Sequence, residues 1–120
     1  MHGDFNDAFD KIDAACGGMP KIATGTYMGT AQSGASHPNS LTFPFEPKLL
    51  IVTFYGRNTD QMVYIPGMEY AFTNVANPND NQVCISQTGN TVTWYAVNGT
   101  TPSNTQLNGS NSLYCWFALG

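Results

Sequence analysis

Charge is the scarcest property of this sequence. Only 10% of its 120 residues are charged, and just four of them are cationic. Proteins that bind nucleic acid need clustered cations to displace counterions from phosphates. The scattered positions Lys11, Lys21, Lys48 and Arg57 form no such cluster, and the formal net charge is −4. The sequence therefore predicts no nucleic-acid partner.

Long apolar runs are missing as well. No stretch approaches the roughly eighteen consecutive apolar residues of a membrane-spanning helix. The opening MHGDFND is too acidic for a targeting segment. We therefore expect no membrane insertion and no signal peptide, and a length that fits one domain with its own core.

Side chains for catalysis and metal binding are few. The histidines are His2 and His37, and His37 has no acidic neighbour in sequence. A glycosidase needs two opposed carboxylates, and the chain beyond residue 20 offers only Glu46, Asp60, Glu69 and Asp80. No zinc spacing occurs. A calcium site formed by Asp60, Asp80 and asparagine side chains is the alternative. We expect no enzymatic activity, no cofactor and no metal.

The cysteines also match no redox or metal motif. Cys84 and Cys115 lie in apolar strand-like runs, and Cys16 makes the count odd. Free thiols in a chain synthesised in a cytoplasm are the simpler interpretation. A Cys84–Cys115 disulfide remains the alternative.

Neutral polar residues take the place of charge. Asn, Thr, Ser, Gln and Gly are abundant, while apolar residues make up 42% of the chain. Such a surface offers hydrogen bonds without a strong field. This composition suits neutral ligands such as sugars, and it also suits tightly packed oligomers.

Residues 4–16 carry a helical pattern. Asp4 is suited to cap the helix, and Gly17, Gly18 and Pro20 to end it. Apolar residues recur at heptad spacing at Phe5, Phe9, Ile12 and Cys16. We predict that residues 1–20 form the end of a coiled-coil stalk; a helix packed on its own domain is the alternative.

From Lys21 the pattern becomes that of β-strands, rich in β-branched and aromatic residues and separated by turn residues such as Pro66-Gly67 and Gly89-Asn90. The predicted fold class is all-β, an antiparallel, jelly-roll-like β-sandwich of about eight strands over residues 21–120. The predicted strands are Lys21–Met28, Leu41–Phe45, Lys48–Tyr55, Met62–Ile65, Glu69–Thr73, Gln82–Gln87, Thr91–Val97 and Ser112–Leu119. Phe43, Ile51, Trp94 and Trp116 are expected to pack within or between subunits.

Long and short connections alternate along these strands. If each strand reverses the direction of the previous one, the odd-numbered connections share one end of the fold. These are the long ones, at 29–40, 56–61, 74–81 and 98–111. Recognition is usually placed on such loops, so we expect a binding site at the pole opposite the predicted helix.

Part of the sequence resembles a known family. KIATGTYMGT from Lys21, then PNSLTFPFEPK ending at Lys48 and an apolar strand, is similar to the C-terminal receptor-binding tip domain of bacteriophage tail fibre proteins. Ala31 departs from that pattern, which commonly has a third glycine there. The resemblance implies a homotrimeric β-sandwich at the tip of an upstream fibre stalk in the virion, adhering to a bacterial surface. It transfers no ligand-contacting residue.

The sequence thus predicts a non-enzymatic adhesion tip that recognises a bacterial glycan or glycopolymer. Planar amides, a guanidinium and aromatic faces suit a polyol, although loops also favour Asn for conformational reasons. A structural trimerisation cap without receptor recognition is the alternative. The candidate receptor-binding residues, with Arg57 and Asp60 near the centre, are His37, Asn39, Tyr55, Arg57, Asn58, Asp60, Asn79, Asp80, Asn98 and Asn108.

Overall fold

The computed structural model describes residues 21–56, 60–74, 82–97 and 101–120. The predicted helix at 4–16 and the predicted stalk at 1–20 lie outside these residues. Within the described ranges, no helix is long and apolar enough to cross a membrane.

All eight predicted strands are present, together with one short helix that the sequence analysis missed. Pro102 suits the start of this helix because its missing N–H needs no partner there. The elements are β1 (Ile22–Met28), β2 (Asn39–Thr42), β3 (Leu49–Phe54), β4 (Gln61–Tyr64), β5 (Tyr70–Asn74), β6 (Val83–Thr88), β7 (Thr91–Ala96), α1 (Pro102–Thr105) and β8 (Leu113–Leu119).

The second strand lies earlier than predicted. It covers Asn39–Thr42 rather than Leu41–Phe45. The Phe43 amide still donates to the Asn90 carbonyl at 2.9 Å, but Pro44 has no N–H to continue the ladder. Phe43 and Phe45 leave the strand and turn inward, where they are 3% and 8% exposed.

The strands form two antiparallel sheets packed as a sandwich, which confirms the predicted fold class at this level. Sheet A contains β1, β8, β3 and β4, and sheet B contains β5, β6, β7 and β2, in these orders. Strand β5 joins them, because Tyr70 and Ala71 pair with β6 while its later residues pair with β4. Every pairing is antiparallel, so successive strands run in opposite directions.

The core lies between the inner faces of the two sheets. Residues of β3, β4 and β7 alternate between full and partial burial, as the two-residue period of a strand requires. Trp94 is the largest fully buried side chain. Phe43 meets the half-buried Trp116 edge to face, with ring centroids 5.0 Å apart, whereas Ile51 faces outward from sheet A, next to the buried Leu50 and Val52.

Alternating strand direction gives the sandwich two different ends. We call the end that carries 29–38 and 101–112 the loop pole. The turn pole, at the other end, carries 43–48, 65–69 and 89–90. The odd-numbered connections therefore start from one end, as the sequence predicts.

Candidate functional site

A buried glutamine organises the loop pole. Gln106 follows α1 and is fully buried. Its Nε2 donates to the His37 carbonyl at 2.8 Å and to Asn39 Oδ1 at 3.0 Å. Its Oε1 accepts from the amides of Gly34 and Ala96 at 2.9 and 3.0 Å. The whole amide is satisfied, as burial of a polar group requires, and it ties residues 34–39 to β7.

Asn108 fixes the first half of the same loop. Its Nδ2 donates to Thr30 Oγ1 at 2.8 Å and to the Gln32 carbonyl at 2.9 Å. Its Oδ1 accepts from the Thr30 amide, and its carbonyl accepts from the Ala31 amide at 2.8 Å. The loop at 29–38 is therefore held at both ends by two side chains of the last connection.

Leu107 lies between these amides and has a left-handed backbone with φ of 59°. Its side chain is fully buried. Its carbonyl accepts from the Tyr27 hydroxyl at 2.8 Å and from Asn39 Nδ2 at 3.3 Å. Such a conformation costs on the order of 1–3 kcal/mol and persists because the surrounding contacts determine it.

Aromatic side chains form the base of this arrangement. Trp94 Nε1 donates to the Gln106 carbonyl at 2.8 Å. Tyr27 stacks on Tyr114 with ring centroids 5.1 Å apart. Burial, with a smaller contribution from Tyr114, raises the pKa of Tyr27 well above its usual range, so its hydroxyl remains a neutral donor to Leu107.

Two glycines of the GTYMG sequence allow this packing. A Cβ at Gly25 would lie 2.5 Å from the Trp116 indole, and one at Gly29 would overlap the Gly109 carbonyl. Ala31, two residues after Gly29, is the position where the fibre-tip pattern commonly has its third glycine, and its φ is 65°. This left-handed conformation favours glycine, which explains why a third glycine suits this place.

A pocket of about 290 Å³ opens between the two loops. This is close to the lower end of volumes that hold small molecules. Polar and apolar groups share its wall, and none of the described side chains that line it is an acid, a lysine or an arginine. The lining residues are Tyr27, Thr30, Gln32, His37, Pro38, Asn39, Ser40, Leu41, Trp94 and Asn108.

The free polar groups of this pocket lie at its rim. At its base, the polar side-chain atoms already form hydrogen bonds within the protein, as those of Asn39, Asn108 and Trp94 do. The side chains of Gln32 and His37 are exposed and make no hydrogen bond with the described residues. Because the base is fully paired and the rim is not, a ligand would find its partners at the rim.

The structure brings together three of the ten predicted site residues. His37, Asn39 and Asn108 line the pocket; Asn108 is only 7% exposed and builds the loop. Tyr55 is 72% exposed after β3, whereas Asp60 is buried and its carbonyl accepts from the Phe54 amide at 2.9 Å. The other five, Arg57, Asn58, Asn79, Asp80 and Asn98, lie outside the described residues.

Sequence reasoning missed the importance of Thr30, Gln32, Ser40 and above all Gln106. A glutamine in a polar loop is normally exposed. One available signal was Leu107, an apolar residue inside a long polar connection and next to both buried amides. An isolated apolar residue in such a place indicates that the loop folds back onto the core.

A second pocket, of about 600 Å³, lies at the turn pole. Glu46, Lys48 and Glu69 line it, so it holds most of the charged side chains that the structure describes. Gln87 also lines this pocket, and its Nε2 donates to the carbonyls of Pro47 and Gly89. Among the described residues, no cluster of His, Cys, Asp and Glu could hold a metal ion.

The two described cysteines, Cys84 and Cys115, are free thiols, and both are partly buried. They lie on outward-facing positions of different sheets. Compared with known proteins, the sequence matches no family model, no curated protein and no solved structure.

Proposed function

We propose that this chain is the receptor-binding tip of a bacteriophage tail fibre and that it recognises a neutral glycan of the bacterial surface at the loop pole. The observation that carries the proposal is the loop-pole pocket, whose described lining has no acid, lysine or arginine and whose loop at 29–38 is held by hydrogen bonds of Gln106 and Asn108. The resemblance of residues 21–54 to fibre tips supplies the biological setting: a homotrimer with a jelly-roll-like tip on a stalk, in the virion.

The rim chemistry suits a sugar. His37 and Gln32 offer donors and acceptors, and the hydroxyl of Thr30 accepts from Asn108 and keeps its own proton for a ligand. Pro38 and Leu41 supply apolar surface for the C–H face of a sugar ring. A phosphate polymer would instead need a cation, and among the described residues no lysine or arginine lines this pocket.

Preorganisation adds to affinity. The backbone at 29, 30, 31, 34 and 37 is already hydrogen-bonded to the last connection or its side chains. Ordering a loop on binding costs free energy, and a loop held in advance avoids that cost. Three copies in one fibre tip would convert weak single-site binding into useful avidity.

The test uses labelled protein on an array of purified bacterial surface polysaccharides. The double variant Gln32→Ala, His37→Ala should bind the recognised polysaccharide at least about tenfold more weakly, with an unchanged melting temperature. Thr88→Ala, an exposed change at the turn pole, should bind as the unchanged protein does. Full binding by the double variant would exclude this pocket as the site.

A structural trimerisation cap is the second candidate. A cluster of neighbouring apolar residues on the outer face of sheet A favours it, namely Ile22, Leu119, Leu49, Phe117, Ile51 and Val63. On this alternative the protein assembles but binds no polysaccharide and no intact host cell. Assembly without binding across the array would therefore select the cap.

A further inference from the structure

The loop-pole pocket lies along the free edge of sheet B. Strand β2 is the last strand of that sheet, and among the described strands it pairs with β7 alone. Both faces of β2 contribute to the pocket wall: Asn39 and Leu41 come from its half-buried face, and Ser40 comes from its exposed face. The pocket is therefore continuous, around the strand edge, with the outer face of sheet B.

That outer face carries hydroxyl side chains over most of its length. Two of its rows across the strands, beginning at the turn pole, are Thr42, Thr91 and Thr88, then Ser40, Thr93 and Ser86. Facing hydroxyls approach each other within these rows, as at Thr42 and Thr91 with 3.0 Å between their oxygens. An antiparallel sheet that faces water on one side has such a polar exterior.

The next row, on the loop-pole side, is different. It joins Tyr70, Cys84 and Tyr95, and we call it the tyrosine row. Tyr70 is 42% exposed and Tyr95 is partly buried. Cys84 separates the two tyrosines by two strand spacings, roughly 10 Å, and neither ring stacks on another aromatic ring of the described residues. The tyrosines therefore form no cross-strand pair that would stabilise the sheet, and both rings offer surface to a ligand.

A short path of hydroxyls connects the pocket with the tyrosine row. Thr93 Oγ1 donates to Ser40 Oγ at 3.4 Å, and Ser40 lines the pocket. Tyr95 lies two residues beyond Thr93 on the same face, about 7 Å along β7. From Ser40 on β2 to Tyr70 on β5 the face spans three strand spacings, about 14 Å. This distance exceeds the size of one sugar ring and fits a chain of several.

We infer that the ligand is a glycan chain, of which one unit occupies the pocket and the following units cross the outer face of sheet B over Tyr95 and Tyr70. The inference rests on the proposed function and extends it. The pocket, at about 290 Å³, is close to the lower end of volumes that hold small molecules, so further units of a chain lie outside it. A tyrosine ring stacks on the C–H face of a sugar, and the hydroxyls of Ser40 and Thr93 pair with hydroxyls of the chain.

The first experiment measures affinity against chain length. The polysaccharide that the protein binds on the array is partly hydrolysed, and its fragments, from a single sugar to about eight units, are titrated in a calorimeter. For the unchanged protein, affinity should rise at least about tenfold from the shortest fragment that binds to the longest. The double variant Tyr70→Ala, Tyr95→Ala should lose this rise and keep its affinity for the shortest fragment within about twofold. Tyr55→Ala, an exposed tyrosine that follows β3 of sheet A, should behave as the unchanged protein does.

The outcomes separate this inference from the proposed function. If the unchanged protein binds all lengths equally, or if the double variant keeps the rise with length, the glycan does not cross the tyrosine row and only this inference is overturned. If the unchanged protein binds no fragment of any length, the proposed function fails as well.

The second experiment needs no variant, because the tyrosine row contains its own reporter. Cys84 raises the pKa of Tyr95, with a smaller contribution from Tyr70, so the thiol lies close to both rings. Cys115, on the outer face of sheet A, is a second free and partly buried thiol and serves as the control. A saturating amount of the longest fragment should slow alkylation of Cys84, mapped by peptide mass, at least about fivefold. It should leave the rate at Cys115 unchanged, and the shortest fragment should leave both rates unchanged.

Alkylation of Cys84 at the same rate with and without the longest fragment would overturn the inference. Equal slowing at Cys84 and Cys115 would overturn it too, because the effect would then not be local to sheet B. A Cys84 that a second protein chain already covers in the absence of glycan, seen as slow alkylation that becomes faster on dilution, would assign this face to a protein partner instead.

Discussion

Gln106 and His37 are joined by a hydrogen bond of 2.8 Å, in which the buried side-chain amide donates to the main-chain carbonyl. The two residues are 69 positions apart in the sequence. The bond connects the rim of the pocket to the interior of the sandwich. The shape of the rim therefore depends on a residue that no ligand would touch.

Replacing Gln106 should destabilise the protein strongly. Gln106→Ala leaves the amides of Gly34 and Ala96 without their partner, and each unpaired buried group costs about 1–3 kcal/mol. We expect the free energy of unfolding, measured in urea, to fall by about 3 kcal/mol. Gln82→Ala, an exposed glutamine, should change it by less than about 0.5 kcal/mol. Equal effects would show that the amide network contributes nothing.

Gly29 should not tolerate a side chain. In Gly29→Ala the added Cβ would meet the Gly109 carbonyl and lie 2.8 Å from the Asn108 carbonyl carbon. Both obstacles are backbone, so the two loops must separate, at a cost of about 2–3 kcal/mol. Thermal unfolding should show the loss, and an unchanged melting temperature would mean that the loops approach less closely.

The neighbouring change Ala31→Gly should have the opposite effect. Ala31 has a φ of 65°, and an alanine in this left-handed conformation costs about 1–2 kcal/mol. Glycine removes that cost, but it also loses more backbone entropy on folding, which offsets part of the gain. We expect a net gain of about 0.5–1 kcal/mol in urea unfolding. Ala35→Gly, in the same loop without a positive φ, should lose stability, and a loss at both positions would contradict the left-handed assignment.

Phe43 should be one of the costly core positions. It is 3% exposed and packs edge to face on Trp116. Phe43→Ala should lower the free energy of unfolding by about 3–5 kcal/mol. Thr42→Ala, its exposed neighbour, should cost less than about 1 kcal/mol. A small effect of Phe43→Ala would mean that the chain after β2 does not turn inward.

Tyr27 should contribute to stability in a pH-dependent way. Its pKa is raised by burial, above the value of about 10 in the unfolded chain. The unfolded state loses this proton first, so the contribution is complete below about pH 10 and is lost as pH rises through the folded pKa. Tyr27→Phe should cost about 1 kcal/mol at pH 7 through the lost bond to Leu107. It should also weaken the alkaline decline in melting temperature; an identical alkaline profile would contradict this.

Local patterns were enough to predict the strands. Alternation and β-branched residues located all eight, and Pro44 accounts for the one clear displacement. The buried Trp94 followed from the same alternation. Ile51 was harder, because an apolar residue in a strand indicates a covered position but not which face it occupies. Only the pairing with Val63 and Phe117 places it outside the sandwich.

The sequence by itself determined the eight strands, their spacing and the alternation of long and short connections, because each of these depends on neighbouring residues. Tertiary structure alone decided which polar residues of the loops are buried and which are exposed. Gln106 and Asn108 look like exposed loop residues, yet they are buried because their partners, from Thr30 to Asn39, come from the other end of the chain. A hydrogen bond between residues so far apart leaves no periodic trace in either segment, so only the folded chain shows which amides build the pocket and which remain free at its rim.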